Sequence, residues 1–353
     1  MPVTLSREDD LEQIRSLWKE LGRRPTLGEY EARYKTCHKR LNKFGGYSEL
    51  CAAVEETIEE FEADAIPDPD LPIDELLAIR KRQFALKQGY EEASKLRNVK
   101  VLLDGPIGLC HFGDPHLDDD GTDIGQLERD KEIVMKTRGM LACNVGDQSN
   151  NWCGRLARLY AEQSTSAEQA IQLLQWFIGG IDWLYLVAGN HDAWSGADSP
   201  IRWIKTIRSI HAPTSVRLNL CFPNGRQVRV NARHDFPGNS MWNPAHGPAR
   251  AAQMGWRDHI LTCGHKHIGG YNIIKDPNSG ILSHAIRVAS YKTYDRFAAS
   301  KGFPDQNLSP CVVTIIDPYA KEEKGLVQLW LDLEHAADYL TYSRKEWKRS
   351  TGS

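Results

Sequence analysis

The residues best suited to chemistry fall in ordered clusters: Asp114-Pro115-His116, Gly146-Asp147, Gly189-Asn190-His191-Asp192, then His234, then Gly264-His265-Lys266-His267. Asp114 and His116 are two positions apart, as are His265 and His267. In extended chain, residues i and i+2 point to the same side, so each pair can address one site. The donors are imidazoles, carboxylates and one amide, without a thiolate. That set suits divalent cations such as Mn2+, Fe2+ or Zn2+, with Ni2+ a further alternative. One ion cannot use Asp114, His116, Asp147, Asn190, His234, His265 and His267 together. Shared between two divalent metal ions with one carboxylate bridging, they would form a dinuclear centre of the kind that clamps attacking and leaving oxygens at phosphorus.

The elements that must hold these groups are strands. Apolar runs at 99–103, 108–112, 140–145, 183–188, 228–232 and 259–263 read as strands, and the polar clusters follow them, where loops carry functional groups on a rigid sheet. His234 directly follows the 228–232 run and then meets a turn, which favours it over His246 as a ligand. His111 lies inside a strand and reads as a buried, hydrogen-bonded imidazole; His211, His259 and His284 also read as structural. Asp118, Asp119, Asp120 and Gly121 look like part of a calcium loop. Aligning Gly121 with that loop's glycine puts His116 first and Leu127 last, so the reading fails and they become a loop near the site.

The ordered set D-x-H, G-D, G-N-H-D, H, G-H-x-H resembles the calcineurin-like metallophosphoesterases over residues 100–267. The resemblance implies an α/β fold, a double-sheet sandwich flanked by helices. It assigns Asp114, His116 and His267 to a first metal, Asn190, His234 and His265 to a second, and Asp147 to the bridge. It makes His191 the group that protonates the leaving oxygen or stabilises charge on phosphorus, with Asp192 orienting it, and a metal-activated water the nucleophile. Protein Ser/Thr phosphatases of this superfamily follow G-D with Asp-Arg and use G-N-H-E. Here the chain reads Gly146-Asp147-Gln148-Ser149-Asn150-Asn151-Trp152 and G-N-H-D, a form shared by repair nucleases, small phosphodiesterases and many phage and bacterial esterases. Asn150, Asn151, Trp194, Tyr291, Lys292 and Arg296 are the expected substrate contacts; an aromatic such as Trp194 could stack on a base or sugar.

Ahead of this region stands a small helical unit, residues 1–60. Leu11, Ile14, Leu17, Trp18 and Leu21 repeat at helical spacing, Gly22 and Pro25 stop that helix, and Thr26 with Glu29 caps the next. A third helical segment is expected from Lys35 to Phe44, placing Lys35, Lys39 and Lys43 on one face. The stretch 11–54 resembles the helical repeat found beside homing endonucleases, on "LWKELGRRPTLGEYEARY" and "LNKFGGYSEL", which implies DNA binding; by their charge and spacing Lys35, Lys39, Arg40 and Lys43 are the residues that could meet phosphates. A packing module with a solvated basic face is the alternative. Residues 61–98 read as an acidic linker and a helical arm over 73–97 that could pair with a second copy, and 99–353 as the catalytic domain.

Composition bounds the rest. The 353 residues are 41% hydrophobic and 26% charged with a net charge of −3, which excludes wholesale disorder and a global positive field, so any nucleic-acid contact must be local. Neither a signal peptide nor an 18-residue apolar run is visible, so a cytoplasmic protein of a bacterium or phage-infected host is expected. The 8 Cys lack any C-x-x-C pair and read as free thiols. A hairpin at 311–333 and a solvated basic helix through Arg344, Lys345, Lys348 and Arg349 should close the chain. The expected function is hydrolysis of phosphodiesters, DNA first. An esterase for a small phosphorylated molecule, its N-terminal unit used for assembly, is the alternative. A non-catalytic scaffold comes last, because no ligand is missing.

Overall fold

The computed structural model describes residues 6–35, 38–57, 70–196, 204, 209–294, 302 and 308–352, and the chain divides into two compact units, Met1–Arg80 and Lys81–Ser353. In the first, α1 (Arg7–Leu21) starts at a capping box between Ser6 and Asp9 and ends at left-handed Gly22. The second helix, α2 (Leu27–Tyr34), starts at the expected capping box of Thr26 and Glu29. Then come α3 (His38–Leu41), a 3-10 turn (Asn42–Phe44) and α4 (Tyr47–Glu55). Ile14, Leu17, Tyr30, Leu41, Leu50, Cys51 and Val54 form their shared core.

The expected third helix from Lys35 to Phe44 is corrected here. Lys35 terminates α2 in the left-handed region (φ 49°), a separate helix spans His38–Leu41, and the winding tightens to 3-10 at Asn42. Lys35, Lys39 and Lys43 therefore do not share one helical face. Arg40 is also reassigned: it pairs with Asp10, a fully buried carboxylate that accepts the Tyr30 hydroxyl at 2.8 Å, so its charge serves the core. Lys39 and Lys43 stay exposed. Cys37 and most of the acidic linker (58–69) lie outside the described residues. Helix α5 (Ile73–Ser94) buries none of its side chains.

The second unit is built on twelve strands among the described residues: β1 (Arg97–Lys100), β2 (Ile107–Phe112), β3 (Met140–Asn144), β4 (Trp183–Val187), β5 (Ile210–Ala212), β6 (Ser215–Cys221), β7 (Gln227–Arg233), β8 (Ile260–Cys263), β9 (Gly270–Lys275), β10 (Leu282–Arg287), β11 (Cys311–Ile316) and β12 (Val327–Trp330). They make two six-stranded sheets, ordered β1-β6-β7-β8-β10-β9 and β12-β11-β2-β3-β4-β5. The expected α/β sandwich of two sheets is what the chain forms. Between the sheets lie Leu109, Tyr185 and Val187 from one and Leu218, Val230, Ile260 and Ile286 from the other, an apolar layer that binds the two together.

Helices α6 (Ile124–Lys136), α7 (Ala167–Gly179) and α10 (Leu333–Thr351) supply the apolar residues packed on the outer face of the second sheet, among them Leu127, Leu174, Phe177 and Leu340. The short α8 (Asn190–Ala193) follows β4, and α9 (His246–Met254) places Ala252 against Leu261 and Cys263 of the first sheet. The closing hairpin forms, β11 antiparallel to β12 from Val313↔Trp330 to Ile316↔Val327. Its helix is not a solvated basic face throughout. Arg344 is 6% exposed and donates to the Pro106 and Asp104 carbonyls, tying α10 to the loop before β2. No helix among the described residues is long and apolar enough to cross a membrane.

Candidate metal centre

In the second sheet β2, β3 and β4 are adjacent and parallel, so the loops after them leave from one edge. They deliver Asp114 and His116, then Asp147 to Asn151, then Asn190 and His191 at the start of α8. In the first sheet β7 and β8 are also parallel neighbours and deliver His234, then His265 and His267. His116 Nε2 lies 3.0 Å from His267 Nε2. His234 Nε2 is 2.9 Å from Asn190 Oδ1, 3.0 Å from His265 Nδ1 and 3.2 Å from Asp147 Oδ2. Asp147 Oδ2 is 3.9 Å from His116 Nε2, and Asp114 Oδ2 is 3.8 Å from His267 Nε2.

The donor atoms gather in two groups, His116/Asp147/His191 and Asp147/His234/His265, each within 4.8 Å, with Asp147 common to both. The set fits divalent cations on its own chemistry. Facing imidazole nitrogens 3.0 Å apart can share a proton or turn their lone pairs to a cation, and fully buried Asp114 Oδ1 has no hydrogen-bond partner, an acceptor a cation would satisfy. Electrostatics agree. Burial works against a charged His234, but the Asp147 hydrogen bond and the Asp114 and Asp147 charges outweigh it and push its pKa up to about 10. Burial likewise raises the Asp147 carboxyl, while His234 and His116 pull it below the ordinary range. The carboxylates Asp114 and Asp147 thus favour positive charge at His234, which a bound cation would supply in place of a proton, while burial and neighbouring imidazoles keep His116 and His265 neutral and able to ligate.

Local backbone is strained to achieve this. His116 (φ 42°), Asp147 (46°), Asn151 (43°), His265 (71°) and His267 (55°) are left-handed, and Lys35 alone shares that state among described non-glycine residues. Each such residue costs about 1–3 kcal/mol, held by its surroundings. Two glycines are demanded by close approach: a Cβ on Gly264 would stand 2.4 Å from Asp114 Oδ1, and one on Gly189 2.0 Å from Asp147 Oδ1.

The remaining expected site residues divide. His191 donates its backbone N–H to Asp147 Oδ1 (3.0 Å), and its Nδ1 meets the Asn150 carbonyl at 2.8 Å. Asp192 does not orient that imidazole, contrary to expectation: its carboxylate accepts the Gly189 and Gln148 N–H groups (2.7 and 3.2 Å), capping the turn it stands in. The Asn151 amide donates to the His191 carbonyl (2.7 Å) and Ser195 Oγ (3.1 Å), and Trp194 lies over the His191 ring, centroids 3.9 Å apart, with 39% of its surface open. Tyr291 is corrected as a substrate contact: it is wholly buried, stacked on Phe112, with its hydroxyl on Asp130 at 2.8 Å. Asn150 is 1% exposed and holds His116, and Lys292 pairs with Asp119 at 3.0 Å, so neither lines an open groove. Arg296 lies outside the described residues.

His246 opens α9 and its ring lies beside Gly238, whereas His234 is in the centre. His111 bridges Tyr185 and Thr314 in the core, 3.1 and 2.9 Å. Two contributors escaped sequence reasoning. Asp119 reads as one of three loop acids. Arg287, 1% exposed, carries no motif, yet it donates to the Gly264 carbonyl (2.6 Å) and to Asp235 (3.0 Å), bracing the turn that bears His265.

No family model and no curated protein matches the chain. Among solved structures, calcineurin-like phosphoesterase YfkN of Bacillus subtilis is similar at 11% identity and TM-score 0.35, over 70% of this chain and 98% of that one. Vacuolar protein sorting 29 of Cryptosporidium parvum is similar at 14% identity and TM-score 0.32, over 64% and 98%. The Entamoeba histolytica Vps29, solved with Zn2+, follows at 11%, TM-score 0.31, over 64% and 97%. At these scores the functional reading rests on the side chains themselves.

Proposed function

We propose that the protein is a dinuclear-metal phosphoesterase that hydrolyses phosphodiester bonds, with DNA as its substrate. The observation that carries the reading is Asp147, one carboxylate belonging to both donor groups at the meeting edge of the two sheets. Asp114, His116 and His267 would hold one cation and Asn190, His234 and His265 the other. Bound there, two divalent ions, Mn2+ foremost, would neutralise charge on the phosphoryl oxygens and lower the pKa of water. His191 supplies the proton. Its Nδ1 is engaged by the Asn150 carbonyl, which leaves Nε2 to exchange. Burial, against the opposing pull of Asp147, makes its imidazolium more acidic than usual and so a readier donor to a leaving oxygen.

DNA as substrate is supported by the exposed Lys39 and Lys43 of the helical unit and by the open face of Trp194 beside His191. The test is Mn2+-dependent hydrolysis of labelled single- and double-stranded DNA, nucleotides and bis-p-nitrophenyl phosphate by the full chain and by His191→Ala. Cleavage of DNA that the variant loses supports the proposal. Turnover confined to small esters moves the substrate to a small phosphorylated molecule, and no turnover of any ester removes the reading.

A further inference from the structure

Asn150 is buried, and all four of its polar groups are used. Its backbone N–H donates to Asp118 Oδ1 (2.6 Å), its carbonyl faces His191 Nδ1 (2.8 Å), its Oδ1 meets His116 Nδ1 (2.9 Å) and its Nδ2 donates to Asp119 Oδ2 (3.2 Å). Asp119 is itself 9% exposed; its Oδ1 accepts the Gly121 N–H at 3.0 Å and its Oδ2 pairs with Lys292 Nζ at 3.0 Å. Lys292 is placed by the backbone bridge to Thr122 and by its neighbour Tyr291, anchored on Asp130.

The direction of this chain of contacts is set by chemistry. An ionised carboxylate only accepts hydrogen bonds, so Asp119 compels the Asn150 amide to present its NH2 outward and its oxygen inward. An amide oxygen only accepts, so His116 Nδ1 must carry the proton. That leaves the Nε2 lone pair, the nitrogen 3.0 Å from His267 and 3.9 Å from Asp147, as the one turned to the centre. Lys292 neutralises the buried carboxylate that starts the sequence of constraints.

We propose that Lys292, Asp119 and Asn150 are positioning residues that fix the His116 tautomer and thereby the strength of the first metal position, a role that rests on the dinuclear reading above. Partners behind a ligating histidine typically alter metal affinity by about 10–100-fold. Two measurements test it. Long-range 1H–15N spectra of histidine-labelled protein without metal should show His116 protonated at Nδ1, and mixed tautomers in Asn150→Ala. Calorimetric titration with Mn2+ should resolve two binding events, of which one weakens by about tenfold or more in Asp119→Ala and Lys292→Met and is restored in Lys292→Arg, while the other is unchanged. Two events unaltered by both Asp119→Ala and Lys292→Met would overturn this inference and leave the dinuclear reading standing. Failure of the unmodified chain to bind Mn2+ at all overturns both. Equal weakening of the two events assigns the residues to general packing and overturns the positioning role.

Discussion

At the scale of single residues, the centre is held by groups with little freedom to be anything else. Asp147 belongs to both donor groups, whereas His191 belongs to one and spends its Nδ1 on a carbonyl. His191→Ala should therefore keep both metals and lose about 10²–10⁴ in turnover, the usual span for a general acid. Asp147→Ala should lose metal and turnover together, read by calorimetry beside the hydrolysis assay. Gly264→Ala tests close approach rather than ligation. Its new Cβ must displace the Asp114 carboxylate or the turn bearing His265, at about 1–3 kcal/mol, so Mn2+ affinity and melting temperature should fall together. Normal Mn2+ affinity in Gly264→Ala would falsify the contact. The motifs were legible at this scale because D-x-H, G-D, G-N-H-D and G-H-x-H spell out ligand types directly. Asp192 was misread because its neighbour in sequence, His191, turns to Asn150, a partner 41 positions away that no local pattern marks.

At the scale of elements, apolar runs foretold β2, β3, β4, β7 and β8 to within a residue or two: β2, β3, β4 and β8 are nearly all buried with few polar interruptions, β7 alternates polar and apolar residues, and the run at 99–103 overshoots the end of β1 at Lys100. The expected third helix failed because three lysines at spacing four describe a periodicity, whereas the chain there is broken by a left-handed residue and a 3-10 turn. The last helix shows the converse: Arg344 looks like its basic neighbours, yet it is sealed against two backbone carbonyls. Arg344→Ala would strand those carbonyls in the interior and should cost about 2–3 kcal/mol, seen as a lower urea midpoint at unchanged slope. Exposed Lys348→Ala should stay within about 0.5 kcal/mol. Equal effects of the two would sink the distinction.

At the scale of the whole molecule, acid should loosen the sandwich through imidazoles remote from the metal centre. Burial depresses His284 and His259 to about 4 and His111 to about 3, while an unfolded histidine titrates near about 6.5. Below that value the unfolded chain binds protons the folded one refuses. Stability is thus full above about pH 6.5 and falls as the pH drops toward 4, by about 3 kcal/mol per group. His284→Leu should flatten the melting-temperature profile between pH 7 and 4.5, and an unaltered profile would refute the assignment. DNA affinity belongs to the same scale. If Lys39 and Lys43 each neutralise a phosphate, replacing both by Ala in the full chain should reduce the slope of log affinity against log salt by about 2; an unchanged slope places the docking surface elsewhere.

What the sequence determined by itself was the chemistry: donor types, their order, and the strands that end in them, because these are properties of neighbouring residues. Only the tertiary structure decided which groups share a centre, that His234 rather than His246 reaches it, that Tyr291 is walled into the core, and that Lys292, through Asp119 and Asn150, is linked to the imidazole of His116. Those outcomes depend on the order of strands within two sheets and on how the sheets stack. Contacts spanning about a hundred residues or more are set by burial and packing of the whole core, which no local spacing encodes.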